Sequence, residues 1–221
     1  MCIRDSIMMV KEHIVDTYGE IRYTMSDGGS GGSMMQTVPA SVMPGLLDGL
    51  QTGYSYPDAV TTWIETRDCG NLWRYYGTGP GAGLSPAARA AIEGHPTADY
   101  CTNWVYSFLA PQNPVQATNC GLGFPAALVY DPALRPNGVR CTIHDVMTAI
   151  LGTTELNGNT VPNLPYDNAG VQYGLKALRS GAITPEEFVA LNEGIGSWDA
   201  DMIWSGDKAV IPAARARMLS L

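Results

Sequence analysis

The 221-residue sequence has little of several features that would assign it to a specialised class of protein. No apolar run approaches the roughly 20 residues that a membrane-spanning helix needs. Only 15% of the residues are charged, and 13 Lys and Arg stand against 21 Asp and Glu, which excludes the basic surface of a dedicated nucleic-acid binder. Three histidines and no C-x-x-C pair give no sign of a zinc or redox motif. We therefore expect no metal, no cofactor, no nucleic-acid partner and no membrane span.

The rest of the composition is that of a globular protein. Hydrophobic residues make up 45%, and 25 Gly with 15 Pro indicate many loops. The length suits one domain of about 200 residues or most of a larger one. Residues 1–6 are typical of translated sequencing-adapter DNA and contain no export signal. We expect these six residues to be a non-native leader on a fragment that is open at both ends.

The cysteines suggest an oxidising compartment. Four remain once Cys2 is set aside with the leader, namely Cys69, Cys101, Cys120 and Cys141. Their even number allows two disulfides in any of three pairings, with four buried thiols as the alternative. We favour at least one disulfide, and with it a secreted or periplasmic parent protein.

The chain begins with the order helix, strand, glycine turn, helix, strand. Hydrophobic spacing predicts these elements at residues 7–18, 21–25, 27–32, 33–38 and 46–52, with the second helix ending near Pro39. This order is typical of an α/β fold with parallel strands. Residues 7–56 are therefore expected to form an α/β core.

After residue 56 the pattern is mostly helical and rich in loops. Helices are predicted at 58–76, from Ser85-Pro86 to Gly94, at 97–109, at 168–179 and after the capping box at Thr184, with a flexible glycine loop at 77–84 and strands at 128–130 and 139–142. Residues 57–210 are thus expected to form an insertion on the α/β core. Residues 211–221 would begin the return to that core or form a truncated end.

The glycine turn contains the candidate nucleophile. Gly28-Gly29-Ser30-Gly31-Gly32 matches G-x-S-x-G, in which a sharp strand-to-helix turn exposes the serine hydroxyl. The Gly31 amide could then donate to the oxyanion of a tetrahedral intermediate. A phosphate-binding loop is excluded because no lysine is near, and a dinucleotide fingerprint fails at Met34. A glycine turn without chemistry stays an alternative, and neither Ser26 nor Ser33 has the same flanks.

The partners of Ser30 in a catalytic triad are less well defined. In the expected fold an Asp or Glu and then a His follow the serine, and only His95 and His144 do so. Both also suit structural roles, and Asp58, the acid candidate, suits a helix cap. Asp199-Ala200-Asp201 lacks the other ligands of a calcium loop and is expected to be a solvated loop. We expect the true acid and base to lie beyond residue 221.

Several sequence blocks resemble a large bacterial α/β-hydrolase-like family of unknown function. They include the glycine turn, Pro44–Gly49, Tyr56-Pro57-Asp58, Asp167–Gly174 and Ile183–Glu186. The family is similar to tannases and feruloyl esterases in layout, with a large lid after the strand that follows the glycine turn. The resemblance implies a partial α/β-hydrolase core at 7–56, a lid at 57–210 and Ser30 as nucleophile, with the Asp- and His-containing segments downstream.

Together these features predict a serine ester hydrolase. Ser30 would be the nucleophile and Gly31 the oxyanion donor, and the substrate would be a small-molecule or polymer ester. We expect the isolated fragment to be inactive. The alternative is a non-catalytic α/β-hydrolase-like binding protein that keeps the glycine turn for structural reasons.

Overall fold

A computed structural model describes residues 3–55 and 59–211 of the chain. The contacts divide the chain into two compact units, Met1–Ala59 and Val60–Leu221. These units are defined by contacts alone. The roles expected from the sequence, a core at 7–56 and a lid at 57–210, stay predictions. Asp58 and its neighbours Tyr56 and Pro57 lie outside the described residues, as do residues 212–221.

The first unit is a helix followed by a β-α-β element. Its elements are α1 (Ile3–Tyr18), β1 (Met25–Gly29), α2 (Gly31–Val42) and β2 (Gly49–Gly53). Strands β1 and β2 pair in parallel, from Met25 opposite Gly49 to Gly29 opposite Gly53. A parallel pair needs a crossover connection, which α2 provides. The predicted order of elements and the parallel pairing are confirmed.

The boundaries of these elements differ from the prediction. Strand β1 begins at Met25, four residues after the predicted start, and it includes Asp27, Gly28 and Gly29 from the predicted turn. Thr24 fixes this start because it exchanges hydrogen bonds with Asp48, whose amide donates to the Thr24 carbonyl at 2.8 Å. Gly28 and Gly29 extend the strand into the predicted turn because they pair with Thr52 and Gly53 of β2.

Helix α2 does not end near Pro39 as predicted, but continues to Val42. A proline inside a helix lacks the amide that would bond the carbonyl four residues earlier, so it usually ends or kinks the helix. Here the Pro39 carbonyl still accepts a hydrogen bond from the Met43 amide at 2.9 Å, and the helix closes one turn later.

The second unit is mostly helical, with two short hairpins. Its helices are α3 (Ala59–Tyr76), α4 (Pro86–Glu93), α5 (Tyr100–Phe108), α6 (Thr148–Leu151), α7 (Leu175–Arg179) and α8 (Pro185–Gly194). The hairpins are β3 (Thr153–Leu156) with β4 (Asn159–Pro162), and β5 (Ser197–Trp198) with β6 (Trp204–Ser205). The core lies between the helices and includes Cys69, Leu72, Tyr75, Cys101, Ala177, Leu191 and Ile195.

Local capping signals explain the helices that the sequence predicted correctly. The Ser85 side chain accepts from the Ala88 amide at 3.1 Å, and Gly94 ends α4 in the left-handed conformation. Thr184 and Glu187 form the predicted capping box at the start of α8. Helix α3 also lies where it was predicted, and α5 occupies the centre of its predicted range.

Other predictions for this unit are wrong. The predicted helix at 168–179 exists only as α7, because the Asn168 side chain is buried and donates to the Gly196 carbonyl instead of facing solvent. The predicted strands at 128–130 and 139–142 share only an isolated bridge between Val129 and Val139. The glycine loop contains a 3₁₀ helix, Gly79–Gly83, whose Gly81 packs against Tyr75.

Two disulfides settle the pairing that the sequence left open. Cys69 in α3 bonds Cys101 in α5, and Cys120, the last residue of a 3₁₀ helix (Ala117–Cys120), bonds Cys141. The first lies in the core, where each cysteine is 3% exposed. Two disulfides in one chain are typical of proteins from oxidising compartments.

Within residues 3–55 and 59–211, the structure contains no helix with the length and apolar character to cross a lipid bilayer.

Candidate active site

Ser30 lies at the junction between β1 and α2, in a conformation that serine rarely adopts. Its φ is 55° and its ψ is −119°, outside the common regions for residues with a side chain. Its amide donates to the Gly53 carbonyl at the end of β2, over 3.0 Å. The residue is exposed, and its side chain makes no capping hydrogen bond with α2. The turn therefore presents the serine hydroxyl at the end of the parallel strand pair.

The strand side of the turn is tightly packed. A Cβ added at Gly28 would lie 3.2 Å from the Gly32 backbone and from Gln36 Nε2. A Cβ added at Gly29 would lie 3.2 Å from the Tyr54 ring and 3.3 Å from the Gly53 carbonyl oxygen. On the helix side, no atom lies within 4 Å of an added Cβ at Gly31 or Gly32. Close packing therefore favours glycine at the first position of the motif, and it places no such restriction on the last position.

Gly31 begins α2 directly after Ser30. The first amides of a helix have no acceptor within the helix, and the helix dipole adds partial positive charge there. This amide is therefore suited to donate to an anionic oxygen formed next to Ser30.

Gln36 is a buried residue of this site that the sequence analysis missed. It is 1% exposed, and its Nε2 donates to the carbonyls of Gly28 and Gly32, each over 3.0 Å, and of Gln51 over 3.4 Å. These carbonyls belong to β1, to the first turn of α2 and to β2. No sequence signal marks Gln36, because two of its partners lie in other elements.

The structure also separates Ser30 from the neighbouring serines. Ser33 is 1% exposed, and its hydroxyl donates to the Ser55 hydroxyl at 3.0 Å. Ser26 is half-buried inside β1, opposite Leu50. Of these three serines, Ser30 alone is exposed.

The two candidate histidines both lie in the second unit, with their contacts in that unit. His144 is 4% exposed, and its Nε2 lies 3.4 Å from the side-chain oxygen of Gln112. Burial lowers the pKa of His144 to about 3, and the positive charges of Arg67 and Arg140 act in the same direction. His95 is exposed and stacks on the Tyr100 ring, with centroids 3.6 Å apart. The third predicted partner, Asp58, lies outside the described residues.

The Asp199–Asp201 segment is not the solvated loop that the sequence suggested. Asp201 is 6% exposed, and its carboxylate accepts from Arg140 at 2.6 Å and from the Tyr130 hydroxyl at 3.0 Å. Arg140 also bonds Asp145 at 3.0 Å. No sequence motif marks this cluster, because Arg140 is distant from Asp201 along the chain.

The half-buried carboxyl group of Asp68, also in this unit, has no signal in the sequence. Asp68 Oδ1 accepts from Tyr166 at 2.8 Å and from the Tyr173 hydroxyl in a shorter contact. Burial raises the pKa of the Asp68 carboxyl, and the hydrogen bonds from Tyr173 and Tyr166 oppose this rise. Asp68 borders a cleft of about 480 Å³ beside the Cys69–Cys101 disulfide. Its hydroxyl partners are distant in sequence, so only the fold brings them together.

The comparisons with known proteins support the resemblance noted above. The profile of a tannase-like family of unknown function (DUF6351) matches residues 2–218. The chain belongs to this family. The match covers nearly the whole chain, so both units are included. Comparisons with curated proteins and with solved structures give no significant match. The function of this family is unknown.

Proposed function

We propose that this tannase-like protein is a serine ester hydrolase of the α/β-hydrolase type, with Ser30 as its nucleophile. The conformation of Ser30 carries the proposal. An exposed serine at positive φ, between a parallel strand and a helix, fits the strand-to-helix turn that holds the nucleophile in α/β-hydrolases. A serine held there only as a structural turn residue would gain nothing from this strain, since glycine adopts positive φ freely.

In the proposed reaction, Ser30 Oγ attacks the carbonyl carbon of an ester while a general base takes its proton. The carbonyl π electrons move to the oxygen, and the Gly31 amide donates a hydrogen bond to the resulting oxyanion. The tetrahedral intermediate then expels the alcohol, which leaves with the proton from the base. Water attacks the acyl-enzyme in the same way, releasing the carboxylic acid and restoring Ser30.

The base and the acid of the triad stay predictions. His144 is a poor base for a bound substrate, because its ring is buried among the side chains of the second unit. His95 is exposed, which is compatible with proton transfer, but its ring is stacked on Tyr100. We propose that the acid and the base are contributed by a segment beyond residue 221, with Asp58 as a secondary candidate for the acid on sequence grounds alone.

The proposal also covers the location of the protein, the role of its second unit and its substrate class. The two disulfides support a secreted or periplasmic location. The second unit is proposed to act as a lid that shapes the ester pocket. The substrate would be a small-molecule or polymer ester.

A fluorophosphonate probe tests the proposal, because such probes phosphonylate activated serines. The natural gene product is incubated with the probe, digested and mapped by mass spectrometry. We expect the label on Ser30, and we expect Ser30→Ala to abolish it while Ser33→Ala keeps it. A folded protein that takes no label would instead support a non-catalytic member of the family.

A further inference from the structure

We propose that Gln36 is a positioning residue for Ser30. Its side chain would hold the glycine turn, Gly28–Gly32, in the conformation that gives Ser30 its positive φ. The inference deepens the proposed function and rests on it, because it assigns Gln36 a role in the reactivity of Ser30. The side chain lies six residues after the serine along α2, outside the G-x-S-x-G motif.

The first argument is the symmetry of the contacts about Ser30. Gln36 Nε2 donates to the carbonyl two residues before the serine, that of Gly28, and to the carbonyl two residues after it, that of Gly32. Both distances are 3.0 Å. One amide group therefore fixes both flanks of the residue whose φ is 55°.

The second argument is energetic. A non-glycine residue in a sparsely populated region persists only where its surroundings over-determine it. The Ser30 amide is held by Gly53 at 3.0 Å, and Gln36 extends the same connection through its 3.4 Å contact with the Gln51 carbonyl. The two bonds thus tie the turn to β2 at different points, so Gln36 supplies a restraint that the backbone alone lacks.

The third argument is the fit of the side chain. Gln36 is 1% exposed, and its nitrogen lies 3.2 Å from where a Cβ on Gly28 would stand. The side-chain amide of Gln36 therefore packs against Gly28 at the position next to where a larger residue would place its Cβ. A hydrocarbon side chain at residue 36 would fill that space but could not donate to the carbonyls.

The test compares Gln36→Leu with Thr37→Val in the natural gene product. Thr37 is the matched control, since its hydroxyl also bonds a backbone carbonyl of α2, that of Ser33 at 3.1 Å, but does not contact the turn. We expect Gln36→Leu to lower the rate constant of fluorophosphonate labelling at Ser30 roughly 10- to 100-fold, because small misplacements of reacting groups cost that much. Thr37→Val should label at the wild-type rate. An unchanged rate in Gln36→Leu would overturn the inference and leave the serine hydrolase proposal standing.

A readout that needs no reactivity separates the two proposals. Hydrogen exchange and the ¹³C chemical shifts of Ser30, measured by NMR with labelled serine, report its amide bond and backbone conformation. We expect faster exchange and shifted resonances in Gln36→Leu, and neither change in Thr37→Val. If the wild type takes no label, the proposed function fails, and these spectra still decide the role of Gln36. Wild-type spectra in Gln36→Leu would contradict it.

A second variant covers the case in which Gln36→Leu does not fold. In Gln36→Glu the introduced carboxyl can donate to one carbonyl only when it is protonated. The labelling rate, taken as a ratio to wild type at each pH, should therefore rise as the pH falls. A ratio that stays flat across the titration would count against positioning by this side chain.

Discussion

The Ser30 amide donates to the Gly53 carbonyl over 3.0 Å, which ties the residue after β1 to the last residue of β2. Tyr54, the residue that follows β2, has a φ of 46°, so each strand is followed directly by a non-glycine residue at positive φ. Ligands of α/β sheets bind at the carboxyl ends of parallel strands. Strained backbone conformations also cluster at functional sites. The first unit therefore concentrates its unusual backbone geometry where chemistry is expected.

The two motif glycines should respond differently to alanine. In Gly28→Ala the added Cβ would lie 3.2 Å from the Gly32 backbone, so we expect a loss of about 1–3 kcal/mol in the free energy of unfolding. In Gly32→Ala no neighbour lies within 4 Å of the Cβ, and the residue is helical, so a gain of about 0.5–1 kcal/mol is expected. Urea denaturation of the 221-residue chain measures both. Equal effects would show that the turn is not packed as described.

Protonation of His144 should destabilise the fold. Burial and the charges of Arg67 and Arg140 lower its folded pKa to about 3 from 6.5. The unfolded state therefore binds the proton more tightly, and the contribution of the neutral ring is complete above pH 6.5 and lost as the pH falls toward 3. The loss is at most about 1.4 kcal/mol per pH unit from this group.

The measurement for His144 is the free energy of unfolding between pH 7 and pH 4 in wild type and in His144→Gln. The variant lacks the titrating ring, so its pH dependence should be shallower below pH 6.5. Parallel curves for the two proteins would show that His144 titrates normally in the folded state.

The buried ion pair of the second unit should matter more than an exposed one. Asp201→Ala removes a fully buried partner of Arg140, bonded at 2.6 Å, and should cost about 3 kcal/mol in unfolding free energy. Asp131→Asn removes the charge that pairs with Arg135 at 4.0 Å near the surface but keeps an oxygen for the Ala133 and Leu134 amides, and it should cost much less. Thermal or urea unfolding of the two variants provides the comparison. A similar cost for both would contradict the burial of the Arg140 cluster.

The two disulfides should differ in their resistance to reduction. Cys69 and Cys101 are each 3% exposed, whereas Cys120 and Cys141 are half-buried. Thiolate attack requires access to sulfur, so mild dithiothreitol should reduce the Cys120–Cys141 bond first. Alkylation of the released thiols, followed by peptide mapping, gives the order. Earlier alkylation of Cys69 and Cys101 would overturn this prediction.

Local signals in the sequence predicted local structure well. The capping residues Ser85 and Thr184 placed two helices, and the glycine turn marked the strand-helix junction. The Asn157-Gly158 pair was an available signal that the sequence analysis overlooked: both residues have positive φ and form the turn of the β3–β4 hairpin.

What could not be predicted depends on residues far apart in the chain. Tyr166 and Tyr173 meet Asp68 only in the folded unit, and the partner of Arg140 at Asp201 is just as distant. The pairing of the cysteines also follows from how α3 and α5 pack. Gln36 was missed for the same reason, since two of its three carbonyl acceptors, those of Gly28 and Gln51, lie in other elements.

Acylation of Ser30 by an ester is the most direct test of the proposed function. The natural gene product is mixed with p-nitrophenyl acetate, quenched in acid within the first turnover, digested and mapped. We predict an acetyl group on the peptide that contains Ser30, with p-nitrophenol release lost in Ser30→Ala and kept in Ser33→Ala. Ester hydrolysis that survives Ser30→Ala would contradict the assignment of Ser30 as the nucleophile.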